Sequence, residues 1–348
     1  MNTAHSIPGR TFINSAGEKW LYFAGTAYLG MPHYDAYQRA IQMGIEKYGA
    51  NYGSSRASPP EVLLFGKMEE KLAHTIGAPA AILVSSGTLA GQLAVRYFES
   101  LHDCYFAPDA HPAITAREPS NEEQPFLDWL IQTVKNINSK EAQSAIFCNA
   151  VDSLGVHQYD FSVLREIKYP ERVTLVVDDS HALGITHQGR GSYQYLKQTF
   201  PNLQILITAS TGKAWGLPAG LLLGETALIS RLRYQAFFRG ASPPIPAFLY
   251  AFDEVFPSLL DRWDRLINNI DYFHRELDPY STIQKIPHYP VTVILIPELD
   301  ELANKKNILI SAFPYPAPHS PKINRVVINA LHTQQDLHQL IQLIKENL

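Results

Sequence analysis

The side chains able to do chemistry in this chain stand at the ends of short apolar runs. Val173–Val177 leads directly into Asp178, Asp179, Ser180 and His181. A strand that ends in a carboxylate delivers it to the carboxyl edge of a parallel sheet, where ligands collect. Asp178 alone would serve as well to open a loop or cap a helix; His181, three residues on, favours a site. A second run, Leu203–Thr208, leads into Ser210, Thr211 and Lys213. The Gly212-Lys213 pair has the look of a nucleotide phosphate loop. That pattern fails, because Ile207 stands where its first glycine belongs and Ala214 follows the lysine. An ordinary surface lysine fits poorly with the neighbours Ala214-Trp215-Gly216-Leu217. A third site is Ser85-Ser86-Gly87-Thr88, between a strand-like run and a helical pattern. Free N–H groups and the dipole at a helix start suit a phosphate.

A phosphate cup, an acid at one strand end and a lysine after a later strand are together what pyridoxal 5'-phosphate needs. The lysine amine condenses with its aldehyde, and the aspartate keeps its pyridine nitrogen protonated so that the ring accepts electrons. Metal chemistry is not expected. The chain has 13 histidines, but no His-Glu-x-x-His and no Cys/His pair at zinc spacing. Nor is there a Gly-x-Ser-x-Gly elbow of an α/β-hydrolase.

These residues need a scaffold, and the apolar pattern supplies one. Ala80–Val84, Ser144–Cys148, Val173–Val177 and Leu203–Thr208 read as strands, with Leu89–Glu99 as a helix between the first two. Strands separated by helices imply a mostly parallel sheet covered on both faces. After about Glu225 the rhythm changes. Helical patterns over Ala227–Phe238 and Ala247–Leu277 precede strand-like runs at Val291–Pro297, Ile308–Phe313 and Val326–Ile328. A last helix follows Thr333, with Asp336 placed for a capping box. The expected organisation is α/β. Residues 1–49 pack with the small domain, 50–235 form the large cofactor domain, and 236–348 form a smaller C-terminal α+β domain.

With 29 basic and 33 acidic residues, a formal charge of −4, no basic surplus points to nucleic acid. Arg231, Arg233 and Arg239 read as a solvated helix face. Only two cysteines, Cys104 and Cys148, fit a reducing compartment. No apolar run is long enough to span a bilayer, and the N-terminus lacks the apolar centre of a signal peptide. A cytoplasmic protein with no membrane span is expected.

Along nearly its whole length, from about Phe12, the chain resembles the α-oxoamine synthases among the fold-type I pyridoxal phosphate enzymes. Tyr28-Leu29-Gly30, Lys47-Tyr-Gly, Gly53-Ser-Ser-Arg56, Met68-Glu69 and Ser86-Gly87-Thr88 match family segments. Asp178-Asp-Ser-His181-Ala-Leu-Gly184, Gly189-Arg-Gly191, Ser210 to Lys213 and Arg325-Val-Val-Ile-Asn-Ala-Leu-His332-Thr333 match too. Some positions depart. Gly212 stands where the family has serine, Pro218-Ala219-Gly220 replaces a Gly-Gly, and Pro59, Pro60 and Phe65 replace a Gly-Thr and His stretch.

The resemblance implies an aspartate aminotransferase-like fold and a homodimer with two active sites at its interface. Ser86, Gly87, Thr88 and Ser210 would hold the cofactor phosphate, joined by Ser242 from the neighbouring subunit. His111, in Asp109-Ala-His111, would stack on the pyridine ring, while Ser153 and His181 would lie near its phenolic oxygen. Lys213 would be the catalytic lysine, Asp178 the pyridine partner and Arg325 the grip on the amino-acid carboxylate. The implied reaction is condensation of a small amino acid with an acyl-CoA. An aminotransferase or another fold-type I reaction, and a cofactor-binding homologue without activity, stay open as alternatives.

Overall fold

The computed structural model describes residues 3–116, 124–152, 156–314 and 322–348. Two short strands, β1 (Thr11–Ile13) and β2 (Lys19–Phe23), precede helices α1 (Asp35–Tyr48) and α2 (Leu63–Ile76). An alternating stretch follows: β3 (Ala80–Val84), α3 (Gly87–Glu99), β4 (Asp103–Phe106), α4 (Phe126–Asn138), β5 (Ser144–Asn149) and β6 (Val173–Asp178). Short segments α5 (Thr186–Gly189) and α6 (Tyr193–Thr199) lead to β7 (Gln204–Ser210) and β8 (Gly220–Gly224). Helices α7 (Thr226–Arg233), α8 (Ala236–Gly240), α9 (Pro246–Val255) and α10 (Leu259–Leu277) come next. The chain then runs through β9 (Ile283–Lys285), β10 (Val291–Ile294), α11 (Leu299–Asn304), β11 (Ile308–Pro314), β12 (Lys322–Val327) and α12 (Gln334–Lys345).

One sheet has the order β3-β8-β7-β6-β5-β4. Strands β4 to β7 are parallel, and β8 runs antiparallel to both of its neighbours. The stretch Thr211–Ala219 is too short for the roughly dozen-residue crossover that a parallel partner needs, so β8 must reverse. Strands β5, β6 and β8 are buried at every residue. Ala145 and Phe147 pack under α3, while Ile146 and Cys148 face the larger core with Leu64, Leu72 and Leu130. Helices on both faces explain why these strands show no polar alternation. Because β8 reverses, β3 points the same way as β7, with Val84 opposite Gly220 and Gly220 opposite Ser210. The carboxyl ends of β3, β4, β5, β6 and β7 therefore share one edge.

The second sheet has the order β1-β2-β11-β12-β10-β9. It joins N-terminal and C-terminal residues, with β2 parallel to β11 through Leu21–Phe23 and Ile308–Ile310. Helix α12 begins with the reciprocal Thr333–Asp336 cap. Arg10 reaches the same carboxylate with Nε at 2.6 Å and its terminal nitrogen at 2.9 Å, a fork that ties the N-terminal segment to the last helix.

Two long helical patterns are interrupted. Gln235 takes an extended backbone and separates α7 from α8. Pro257, in the 3-10 turn Phe256–Ser258, separates α9 from α10, since proline offers no N–H to continue the ladder. Helix α9 lies against α1 so closely that a Cβ at Gly44 would stand 2.4 Å from the Ala247 carbonyl oxygen.

Glu69 pins α2 to the first sheet. It is 3% exposed. One oxygen accepts the Arg56 guanidinium and the Leu83 N–H, each at 2.9 Å, and the other accepts Arg233 at 2.9 Å. Removing it strands the Arg56 side chain, itself 8% exposed. Glu69→Ala should therefore cost about 3–5 kcal/mol of stability, as measured by urea unfolding.

Candidate active site

The loop after β7 is built to turn sharply. Thr211 Oγ1 donates to the carbonyls of Leu217 at 2.8 Å and Ala219 at 2.9 Å. Gly216, at φ +61°, lies where a Cβ would stand 2.6 Å from Met31. Lys213 projects from this turn, and its Nζ lies 2.8 Å from His181 Nε2. The other ring nitrogen, Nδ1, is 2.9 Å from the Tyr28 hydroxyl. A neutral imidazole has one donor and one acceptor. With the amine protonated, Lys213 donates to Nε2, and Nδ1–H donates to Tyr28.

Burial dominates the electrostatics. It pushes the His181 pKa down to about 3, helped by Lys213, Arg325 and His111. His181 is thus neutral at neutral pH. Burial also holds the Lys213 amine below the ordinary lysine value; Asp178 opposes this and Arg325 adds to it. Tyr28 and Tyr289 are raised by burial, with the Arg325 charge pulling the other way. Tyr289 donates to the His181 carbonyl at 3.1 Å, which fixes that backbone from the second sheet.

Asp178 and Asp179 divide two tasks. Asp178 closes β6, opposite Thr208 of β7 and Asn149 of β5. One of its oxygens accepts the Ser180 N–H at 2.9 Å, and the other takes no hydrogen bond among the described residues. Asp179 faces away. It accepts the Ser192 N–H at 2.9 Å and the Ser192 hydroxyl, and burial raises its pKa to about 6. A Cβ at Gly191 (φ +71°) would stand 2.1 Å from this carboxylate, so glycine is required there. Ser180 Oγ in turn accepts the Ser210 N–H at 2.8 Å, clamping the ends of β6 and β7 together.

At the same edge, Ser86 caps α3 by accepting the Leu89 N–H at 3.1 Å. A Cβ at Gly87 would come within 2.6 Å of Ser210 Cβ, and one at Gly220 within 2.0 Å of the Ser86 carbonyl oxygen. Glycines thus let the helix start sit directly on the end of β7. Ser86 and Thr88 are exposed there. The first N–H groups of a helix have no intrahelical partner, so this corner fits an anionic group.

His111 follows β4. Its N–H donates to Asn149 Oδ1 at 3.1 Å, and Asn149 Nδ2 donates to the Asp109 carbonyl at 2.8 Å. Its ring nitrogen Nδ1 accepts the Ala113 N–H at 3.1 Å. Arg325 comes from β12, opposite Val293 and Ser311. Its Nε is buried without a hydrogen-bond partner among the described residues. A half-buried guanidinium with one unbonded N–H, close enough to bear on the Lys213 and His181 charges, fits a carboxylate. Ser242 is exposed between α8 and α9, and no contact among the described residues joins it to this cluster. Ser153 lies outside the described residues.

Lys213, His181, Asp178, His111, Ser210, Gly87, Ser86, Thr88 and Arg325 thus meet at or beside one edge. Sequence reasoning passed over Tyr28 as a site residue, although the Tyr-Leu-Gly triplet marked it. It named Ser180 only as part of the Asp178–His181 stretch, and it missed Tyr289 and Asn149 altogether. Asn149 ends an apolar run as Asp178 does, and that signal could have found it. Tyr289 carries none, being 108 residues from the backbone it holds. Among the described residues no group of three or more His, Cys, Asp or Glu is placed to hold a metal ion, and no helix is long and apolar enough to cross a membrane.

No family model matches the chain. By sequence it is 24% identical over 345 residues to an 8-amino-7-oxononanoate synthase of Nitrosomonas eutropha, covering 93% of this chain and 88% of that protein. It is 26% identical over 355 residues to the synthase of the same name from Coprothermobacter proteolyticus, covering 95% and 88%. Among solved structures, a serine palmitoyltransferase of Sphingomonas wittichii superposes with a TM-score of 0.83 at 15% identity, covering 99% of this chain and 91% of that one. An 8-amino-7-oxononanoate synthase of Francisella tularensis superposes at 0.69 with 22% identity, covering 94% and 97%. The superpositions carry the fold, and the named sequence relatives cover nearly the whole chain: along that length it is similar to the α-oxoamine synthases among the fold-type I pyridoxal phosphate enzymes.

Proposed function

We propose that the chain is a pyridoxal 5'-phosphate-dependent C-acyltransferase that condenses a small amino acid with an acyl-CoA. One observation carries this beyond the resemblance: the half-buried Lys213 amine lies 2.8 Å from Nε2 of a neutral His181, in the field of Arg325, whose Nε takes no hydrogen bond among the described residues. Bound at this edge, the cofactor supplies an aldehyde that holds the amino acid and a ring that withdraws electrons from its Cα.

The protein's own residues then divide the work. Ser86, Gly87, Thr88 and Ser210 hold the phosphate, and Ser242 of a second subunit completes that hold in a homodimer. Asp178 partners the pyridine nitrogen through the oxygen that Ser180 leaves open. His111 would cover the ring face and His181 would meet the phenolic oxygen; Ser153, expected beside it, lies outside the described residues. Arg325 binds the substrate carboxylate as a planar fork. Lys213, held below the ordinary lysine value, is suited to take the Cα proton and return it. Tyr28 and Tyr289, both almost wholly buried, keep water from this corner.

The deciding assay is release of coenzyme A thiol that depends on both an amino acid and an acyl-CoA. Amino-group exchange with a 2-oxo acid, and no thiol from any acyl-CoA, would establish an aminotransferase in its place. Borohydride reduction of the cofactor-loaded protein should label Lys213, as read by peptide mapping; a label on another lysine overturns the site. Asp178→Asn should leave the fold and cofactor uptake intact while lowering turnover roughly 10²–10³-fold, as for loss of one preorganised polar partner. Arg325→Ala should raise the amino-acid KM roughly ten- to hundredfold, the equivalent of about 1.5–3 kcal/mol for a charge-assisted contact.

A further inference from the structure

A cavity of about 180 Å³ lies beside the lysine loop and has no part in the roles given above. Its walls include Gly212, Ala27 and Val327. Each is tied to a residue of the reacting cluster: Gly212 precedes Lys213, Ala27 precedes Tyr28, and Val327 lies two residues beyond Arg325 on the same face of β12. The cavity is thus walled by the chain neighbours of the reacting cluster. Its far wall is Leu331, packed so tightly on Gly30 that a Cβ there would stand 2.4 Å from Leu331 Cγ.

That wall is held firmly. Ala330 N–H donates to the Tyr28 carbonyl at 2.8 Å, and Leu331 N–H to Asn329 Oδ1 at 2.9 Å. His332 Nδ1 accepts the Asn329 N–H at 3.1 Å, and its Nε2 lies 2.9 Å from the Tyr22 carbonyl oxygen. Its ring also stacks on Phe23 at 4.2 Å. A wall anchored residue by residue cannot swing aside for a long chain. An apolar cavity of ~150 Å³ holds about one benzene ring, so this one has room for about six or seven heavy atoms.

We infer that this cavity receives the short apolar group of one substrate, either the acyl chain or the amino-acid side chain, and limits its length. This rests on the acyl-transfer reading above, but its test is separable. Using the cofactor-loaded protein, kcat/KM is measured for straight-chain acyl-CoAs of two to sixteen carbons with one amino acid, and for amino acids of increasing side-chain length with one acyl-CoA. Leu331→Ala enlarges the cavity, and Ala27→Leu fills it.

If the acyl chain is the occupant, Leu331→Ala should improve acyl groups one to three carbons longer by roughly tenfold relative to wild type, and Ala27→Leu should penalise them by a similar factor. Amino-acid preference would then stay put. The opposite pattern assigns the cavity to the amino-acid side chain. If neither panel shifts in either folded variant, the inference is overturned. Should no acyl-CoA release thiol, only the acyl-transfer reading fails. Amino-acid binding, followed by the absorbance of the bound cofactor, still tests the cavity: unchanged side-chain preference in both variants would overturn it.

Discussion

The parallel pairing of β6 and β7 is the constraint on which the rest of the site depends. Asp178 faces Thr208 across that pair, and the Ser180 hydroxyl grips the Ser210 N–H just beyond it. Side chains alternate along a strand, so a slip of one residue would exchange the places of Asp178 and Asp179. The carboxylate needed at the edge would then point at Ser192, and the one that ties down Ser192 would face the cofactor corner. The short Thr211–Ala219 turn is fixed by the same register. It starts from β7 and must bring β8 back to pair with it, which leaves Lys213 little freedom of position.

Around this frame the electrostatics leave one need unmet. Burial removes charge from His181 and disfavours it on Lys213, while the Arg325 Nε takes no hydrogen bond among the described residues. A buried donor without an acceptor is costly. A bound carboxylate would relieve that cost at the atom beside the reacting amine. On the proposed reading, the second sheet would supply the attractive half of substrate binding and the first sheet the reactive half.

Much of the first sheet was legible because its strands are buried on both faces. Ala80–Val84 and the runs into Asn149, Asp178 and Ser210 stand out as short apolar stretches that end abruptly in polar residues. The candidate site residues sit at those ends, so the lysine, the aspartate and the serine cup could be picked out as candidates without knowing the fold. Strand β8 could not be assigned a direction, because antiparallel return depends on loop length rather than on strand composition. Pro257 was visible in the sequence, yet the helical pattern on either side of it masks the break. Arg325 lies in a partly exposed strand and gained meaning only through the family motif. Tyr28 and Tyr289 reach His181 from 153 and 108 residues away, distances over which local pattern carries no information.

The pairing of β2 with β11 also bears on how the molecule is made. Leu21–Phe23 pair in parallel with Ile308–Ile310, residues that leave the ribosome long after them. At about 5–20 residues per second, β2 waits tens of seconds for its neighbour. The first sheet, whose strands lie between residues 80 and 224, can close in the meantime. The nascent N-terminal strand is left with one unpaired edge throughout that interval, a natural place for a chaperone to hold. Tyr28, five residues past β2, has its carbonyl bound by the Ala330 N–H, so one of the bonds that hold the corner around Lys213 waits for late residues as well.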